Sequence, residues 1–317
     1  MIVADEAHHV GSESLFRHLP ESGFTFRLGL SATPERWQDE DGTDRILEWF
    51  GKILSPQIGV SGAIQMGALC PYYYHPVFIE LDELEAQRYQ DVTRRIATLL
   101  TEGHTFATST QLARLLHERS SFIATVKGKT QALETLIRES ATVRRTLVYC
   151  GSGSIELGEA AEAESIRHVD HVVDLLGNKL GMRVAKYTAE TSLADRSRII
   201  QQLVTGDLQA VVAINCLDEG VDIPCIETAI VLSSSTNPRQ FVQRRGRVLR
   251  RFEGKEHARL YDMVVLPSTG DDPSDAEQQL MERELTRYLE FARAALNGTS
   301  AEKAILPHQH RFGLLHL

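Results

Sequence analysis

Short apolar runs bounded by turn residues alternate with longer stretches of helical spacing, which predicts an α/β protein built on parallel sheets. The first run, Met1–Ala4, ends in Asp5 and Glu6; the second, from Arg27 to Leu30, ends in Ser31-Ala32-Thr33-Pro34. Continuous apolar runs of this length suit strands buried on both faces. Further strands are predicted over Pro76–Leu81, Thr146–Cys150, Arg183–Tyr187, Leu208–Ile214, Glu227–Leu232 and Arg259–Leu266. Helical spacing runs over Asp44–Phe50, Asp82–Thr101, Thr108–Ile123, Lys129–Glu139, His168–Leu176, Ser192–Leu203 and Glu277–Leu296. In the second of these helices Leu84, Tyr89, Val92, Ile96, Leu99 and Leu100 make one stripe. Ser192, with Asp195 three residues on, reads as a capping box.

Between these elements, Gly59–Gly67 reads as the crossing from one domain to the next, and Gly151–Glu164 as an exposed loop. Asp271–Asp275 reads as a charged linker and Asn297–Leu317 as a weakly patterned tail. The divisions that follow are 1–66, a first sheet with only its later strands; 67–270, a complete second sheet; and 271–317, a C-terminal helix and tail.

Composition narrows the classes. A chain of 317 residues with 42% hydrophobic content buries a sizeable core. Its net charge of −9 excludes a uniformly basic nucleic-acid coat, so any such contact is local. Cys70, Cys150, Cys216 and Cys225 lack CxxC spacing, and three sit in apolar runs. They are expected to be reduced, in a cytoplasmic protein. No apolar run approaches the length of a membrane span.

Three stretches carry candidate chemistry. Two adjacent carboxylates at the carboxyl end of a buried strand need a cation or a reacting proton, because burying them otherwise is costly. Asp5 then holds a hydrated Mg²⁺ and Glu6 polarises an attacking water. An unremarkable acidic turn is the competing reading. The hydroxyls of Ser31 and Thr33, at the neighbouring strand tip, are placed to bond those carboxylates. Arg239–Arg251 holds six arginines and no acid. On a helix Gln243, Arg247 and Arg250 share a face, with Arg244 beside it, and planar guanidinium forks suit phosphate oxygens. A solvated basic helix is the plainer alternative. Gly128-Lys129-Thr130 looks like the end of a phosphate loop, but Ile123 stands where that loop needs its first glycine. Gly128 is expected to break the chain before a helix at Lys129. His308 and His310 have no companion ligands and read as surface residues.

In order along the chain, these motifs resemble those of superfamily 2 helicases and translocases. Asp5-Glu6-Ala7-His8 is similar to the DEAH box, Ser31-Ala32-Thr33 to the motif after it, and Leu147–Cys150 to the first strand of the second RecA-like domain. Glu219-Gly220-Val221-Asp222-Ile223-Pro224 resembles motif V and Gln243–Arg250 resembles motif VI. The match covers about residues 1–265, with restriction-enzyme and repair-type DNA helicases the nearest in flavour.

The resemblance implies tandem RecA-like parallel sheets, the first incomplete and the second complete, with a C-terminal helical segment. It implies ATP and Mg²⁺ as cofactors and DNA as the partner, RNA being the other nucleic acid in question, with a nuclease or restriction/repair partner to look for. It makes Glu6 catalytic and Asp5 a water-mediated Mg²⁺ holder. Arg247 and Arg250 become arginine fingers, and Gly220, Asp222, Gln243 and Arg244 nucleotide contacts. His8, Ser31 and Thr33 become coupling residues, with His8 bonding Gln243 across a cleft. Two departures limit the transfer: Ile214 stands where many relatives have a phosphate-touching threonine, and the 317 residues hold no G-x-x-x-x-G-K-[ST] loop. The expectation is an amino-terminally truncated chain, inactive alone. The alternative is a catalytically silent binding or scaffold module.

Overall fold

A computed structural model of the chain describes residues 1–20, 23–31, 39–102, 109–140, 143–151, 154–157, 164–214, 223–233, 246–267 and 275–317. The expected parallel sheets are both present. The first pairs β1 (Ile2–Ala4) with β2 (Arg27–Gly29). The second has six strands, all parallel: β3 (Tyr72–Glu80), β4 (Thr146–Cys150), β7 (Val184–Tyr187), β8 (Ala210–Ile214), β9 (Thr228–Val231) and β10 (Ala258–Leu266). Their spatial order is β3-β10-β9-β4-β8-β7.

Strand alternation sends successive side chains to opposite faces of this second sheet. Tyr149, Val211, Val231 and Leu260 enter one core; Val148, Cys150, Val212 and Ile230 enter the other. The second face is covered by α4 (Glu83–Thr101), α5 (Thr110–Ala124), α6 (Lys127–Glu139) and α7 (His168–Asp174). The first is covered by α8 (Leu193–Thr205), α9 (Asp275–Arg293) and α10 (Gly298–Arg311). All five β4 positions are buried, as a central strand between two helical layers requires.

Several expectations are corrected. Asn297–Leu317 is not an unpatterned tail: α10 holds most of it, with Pro307 inside the helix. Ala301, Ile305, Phe312 and Leu314 are buried in the sheet's core. This segment also finishes the edge strand β3. Leu296 N donates to Tyr72 O, and the Asn297 side-chain amide exchanges hydrogen bonds with the Tyr74 backbone at 2.8 Å each way. An edge strand leaves unpaired backbone groups, and here they are capped in cis. His308 packs on Phe78 with ring centroids 3.9 Å apart, so it is half-buried rather than a surface residue.

Gly151–Glu164 is not loop alone: it holds β5 (Ser154–Leu157), which pairs antiparallel with β6 (Glu164–Arg167) at and beyond its end. The Gly59–Gly67 stretch contains a short helix, α3 (Val60–Gln65). Leu84 is 73% exposed, outside the stripe that buries Tyr89, Val92, Ile96 and Leu99. β1 is not buried on both faces, Val3 being 48% exposed, because a two-stranded sheet has too few neighbours to cover it. Gly128 does not break the chain: it lies inside the first turn of α6, where a Cβ would stand 2.6 Å from Ile79 Cγ2. Its missing side chain lets α6 lie close on β3. At α8, Ser192 Oγ accepts from Asp195 N at 3.1 Å and also donates to the Asp195 carboxylate.

A polar group lies buried near the carboxyl ends of β4 and β9. Lys129 Nζ donates to Leu232 O at 2.5 Å. His168 is fully buried, and neither ring nitrogen finds a hydrogen-bond partner among the described residues. Burial, then the Lys129 charge and His171, push its pKa down to about 4. A neutral native His168 facing an unfolded state that protonates near pH 6.5 makes the fold lose stability as pH falls from 6.5 to 4, by about 3 kcal/mol. His168→Leu should remove that part of the acid sensitivity. Urea midpoints at pH 7 and pH 4.5 check it, and an unchanged difference between the two pH values would refute it.

Candidate functional site

Asp5 and Glu6 follow β1 directly. Asp5 is exposed, and its Oδ1 accepts the Glu6 backbone N–H at 2.9 Å. Glu6 sits in the left-handed region with φ 48 and ψ 49, an uncommon conformation for a residue with a side chain. The turn continues as a 3₁₀ segment, Ala7–Gly11, that buries His8 completely. Backbone bonds from Leu30 N to Ala4 O and from Ala7 N to Leu30 O hold the two strand tips together.

His8 Nδ1 lies 3.3 Å from Glu6 Oε2 and 3.2 Å from Ser31 Oγ. The histidine thus links the carboxylate at one tip to the hydroxyl at the other. Ser31 was expected to reach the carboxylates; it reaches the imidazole that contacts one of them. Asp5 offers a single exposed carboxylate, a donor set that suits a hydrated Mg²⁺ better than an all-protein cage. Among the described residues no cluster of three or more His, Cys, Asp or Glu could hold a metal unaided.

The described end of the arginine island is Gly246–Arg251. Val248 and Leu249 are buried in the core of the second sheet, and Arg247 and Arg250 beside them are half-buried. Cys70 N donates to Leu249 O at 2.7 Å, and Arg250 forms a backbone bridge with Leu69. Arg251 Nη1 donates to Gly67 O at 3.1 Å. These contacts seat the segment at the amino edge of the sheet, beside the start of β3 and β10. Asp5, Glu6, His8 and Ser31 therefore gather at one pair of strand tips, and Arg247 and Arg250 share one backbone segment. Thr33, Gly220, Asp222, Gln243 and Arg244 lie outside the described residues.

Sequence reasoning did not foresee the burial of two lysines near these segments. Lys129 is 1% exposed at the carboxyl edge of the sheet, and Lys255 is 8% exposed beside Arg250. A signal existed for Lys129: it stands four and eight residues before Leu133 and Ile137 on the buried face of α6.

Residues 128–252 match the family model described as "Helicase conserved C-terminal domain". That stretch is similar to helicase C-terminal domains. Over 288 residues it is 25% identical to a protein of Sulfurisphaera tokodaii named DNA 3'-5' translocase XPB2, covering 86% of this chain and 60% of that one. It is 26% identical to a putative DNA 3'-5' helicase Rad25 of Haloarcula marismortui, covering 89% of this chain and 37% of that protein. The chain thus spans 60% or less of these relatives' lengths. Among solved structures, an ATP-dependent Type ISP restriction-modification enzyme, LlaBIII, bound to DNA, aligns with a TM-score of 0.50 at 16% identity. It covers 92% of this chain and 20% of that one, a likeness of fold. The matched stretch runs from the first turn of α6 through Phe252, so it includes Lys129, Arg247 and Arg250. Asp5, Glu6, His8 and Ser31 precede it.

Proposed function

We propose that the intact protein is an ATP-driven superfamily 2 helicase or translocase acting on DNA, with ATP hydrolysed between two RecA-like units. Residues 1–66 would belong to the first unit and 67–270 to the second, with 271–317 completing the second sheet's helical cover. One observation carries the reading. A carboxylate pair is joined to a neighbouring strand tip through buried His8, and an arginine segment with half-buried Arg247 and Arg250 is seated on the second sheet.

Bound ATP with Mg²⁺ supplies the phosphoanhydride to be cleaved and the positive charge that neutralises its oxygens. Asp5 holds the ion through water, and Glu6 orients and accepts a proton from the attacking water. Arg247 and Arg250 neutralise charge developing on the transferred phosphoryl group, with Arg244, Gly220 and Asp222 as further nucleotide contacts. Ser31 and Thr33 brace the carboxylate tip, and His8 passes its state to Gln243. Free buried Cys70, Cys150 and Cys225 fit a reducing cytoplasmic setting. The DNA assignment follows the names of the relatives, and the motifs' resemblance to restriction-enzyme and repair-type helicases motivates a search for a nuclease partner.

The sequence holds no G-x-x-x-x-G-K-[ST] loop, which favours a second reading in which the chain alone is a catalytically silent binding module. One assay separates the two. ATP hydrolysis by the intact protein should rise when DNA is added and fall by about 10²-fold or more in Glu6→Gln, while residues 1–317 alone turn over negligibly. An intact protein whose hydrolysis ignores nucleic acid would overturn the helicase reading.

A further inference from the structure

Lys255 lies just beyond the arginine segment, in a tight turn that Gly254, at φ +75, makes possible. Its side chain is 8% exposed, and its ammonium group makes three hydrogen bonds. Nζ donates to Val248 O at 2.5 Å, to Arg250 O at 2.9 Å and to Pro224 O at 3.2 Å. An ammonium carries three donors, so all of them are engaged. Two acceptors belong to the backbone that carries Arg247 and Arg250. The third belongs to Pro224, at the start of the described residues that lead into β9.

We propose that Lys255 is a positioning residue, a single buried cation that ties the arginine segment to the Pro224 backbone ahead of β9 and so sets where Arg247 and Arg250 stand. The inference rests on the helicase reading for its catalytic consequence, but not for its geometry. Burying an ammonium is costly, and a lysine used only for packing would be replaced at no loss by an apolar side chain of equal length. The three carbonyls offset that cost and use it to fix two backbone segments relative to each other. Burial lowers the lysine's pKa, while the nearby thiols of Cys70 and Cys225 and the carboxylate of Glu227 oppose the shift. Neighbouring contacts hold the same edge: Glu227 pairs with Arg144 and Arg145, and the Arg145 guanidinium lies 5.3 Å over the Phe252 ring.

Lys255→Met in the intact protein keeps the length and removes the donors. Displacing catalytic groups by about 1 Å costs on the order of 10²-fold in rate. The expected result is a kcat lower by about that factor, with KM for ATP changed by less than about threefold. Hydrogen exchange should accelerate at the amides of Cys70, Leu249 and Arg250 and stay unchanged in β4 and β8. A kcat within about threefold of wild type overturns the proposal, as does faster exchange spread evenly over the sheet, which would mark mere support of the fold. Should Lys255→Met fail to fold, Lys255→Gln, with two donors, carries the same readouts and should show a smaller loss. If the wild-type protein shows no ATP turnover, the helicase reading falls and the exchange pattern alone decides for or against Lys255.

Discussion

Replacing Arg250 with alanine in the intact protein is expected to lower DNA-stimulated ATP turnover by about 10³-fold or more, and Arg247→Ala by a similar factor. The size follows from what an arginine does opposite a transferring phosphoryl group. Charge spreads over the phosphoryl oxygens in the transition state, and a preorganised guanidinium there needs no solvent reorganisation. The effect should fall on turnover and not on the fold. What holds Gly246–Arg250 in place is its backbone and the two buried residues within it. Val248 and Leu249 fill the core, Leu249 O accepts from Cys70 N, and the Arg250 carbonyl accepts from Lys255. An alanine at 247 or 250 leaves all of these, so the stability change should stay within about 1 kcal/mol. Steady-state kinetics and a urea midpoint on the same sample measure both effects. A loss below about tenfold would remove the arginines from the chemistry. A midpoint shift equivalent to more than about 2 kcal/mol would instead make them structural.

The second sheet was legible in sequence because a strand buried on both faces must be apolar throughout. Thr146–Cys150 and Ala210–Ile214 meet that demand, and their predicted bounds differ from the observed ones by at most two residues. α10 was not legible. Its buried apolar positions, Ala301 and Ile305, are few, and Pro307 argues locally against a helix. What forms it is tertiary: β3 is an edge strand, and Leu296 and Asn297 supply the partners its backbone lacks. The short hairpin β5–β6 was hidden in the same way by a Gly- and Ser-rich composition.

In the candidate site, Asp5 and Glu6 could be picked out because two adjacent acids follow an apolar run, although Asp5 is exposed in the fold, and His8 only through the family resemblance. Lys255 could not. A lysine near glycine and glutamate looks solvated in one dimension, and only the folded backbone brings Pro224, Val248 and Arg250 to one point. The Gly128-Lys129-Thr130 triplet shows the converse, a suggestive motif that Ile123 at the first glycine position already argued against. It invited a phosphate reading, whereas Lys129 points into the protein and bonds a strand end.

That lysine carries a large expected pH effect between pH 7 and 10.5. Burial pulls its pKa down from 10.5 to about 7, opposed by Glu284 on α9 and Asp262 on β10, with His168 on α7 also nearby. The native protein therefore releases this proton near pH 7, while the unfolded chain keeps it to about pH 10.5. Between those values the unfolded state binds more protons, so stability rises with pH, by about 5 kcal/mol over the whole interval. Other groups titrate there too, and comparison with Lys129→Met cancels them. At pH 7 the variant escapes the penalty of the buried charge but leaves the Leu232 carbonyl without its donor, at a cost of about 1–3 kcal/mol. The two proteins should then be of similar stability at pH 7. By pH 9.5 the wild type should have gained about 3 kcal/mol over the variant, as the native amine is neutral and the unfolded one still charged. Urea unfolding of both proteins at pH 7 and 9.5 measures the gap. Parallel pH profiles would mean that Lys129 keeps its charge in the fold, held by Asp262 and Glu284 against the cost of burial.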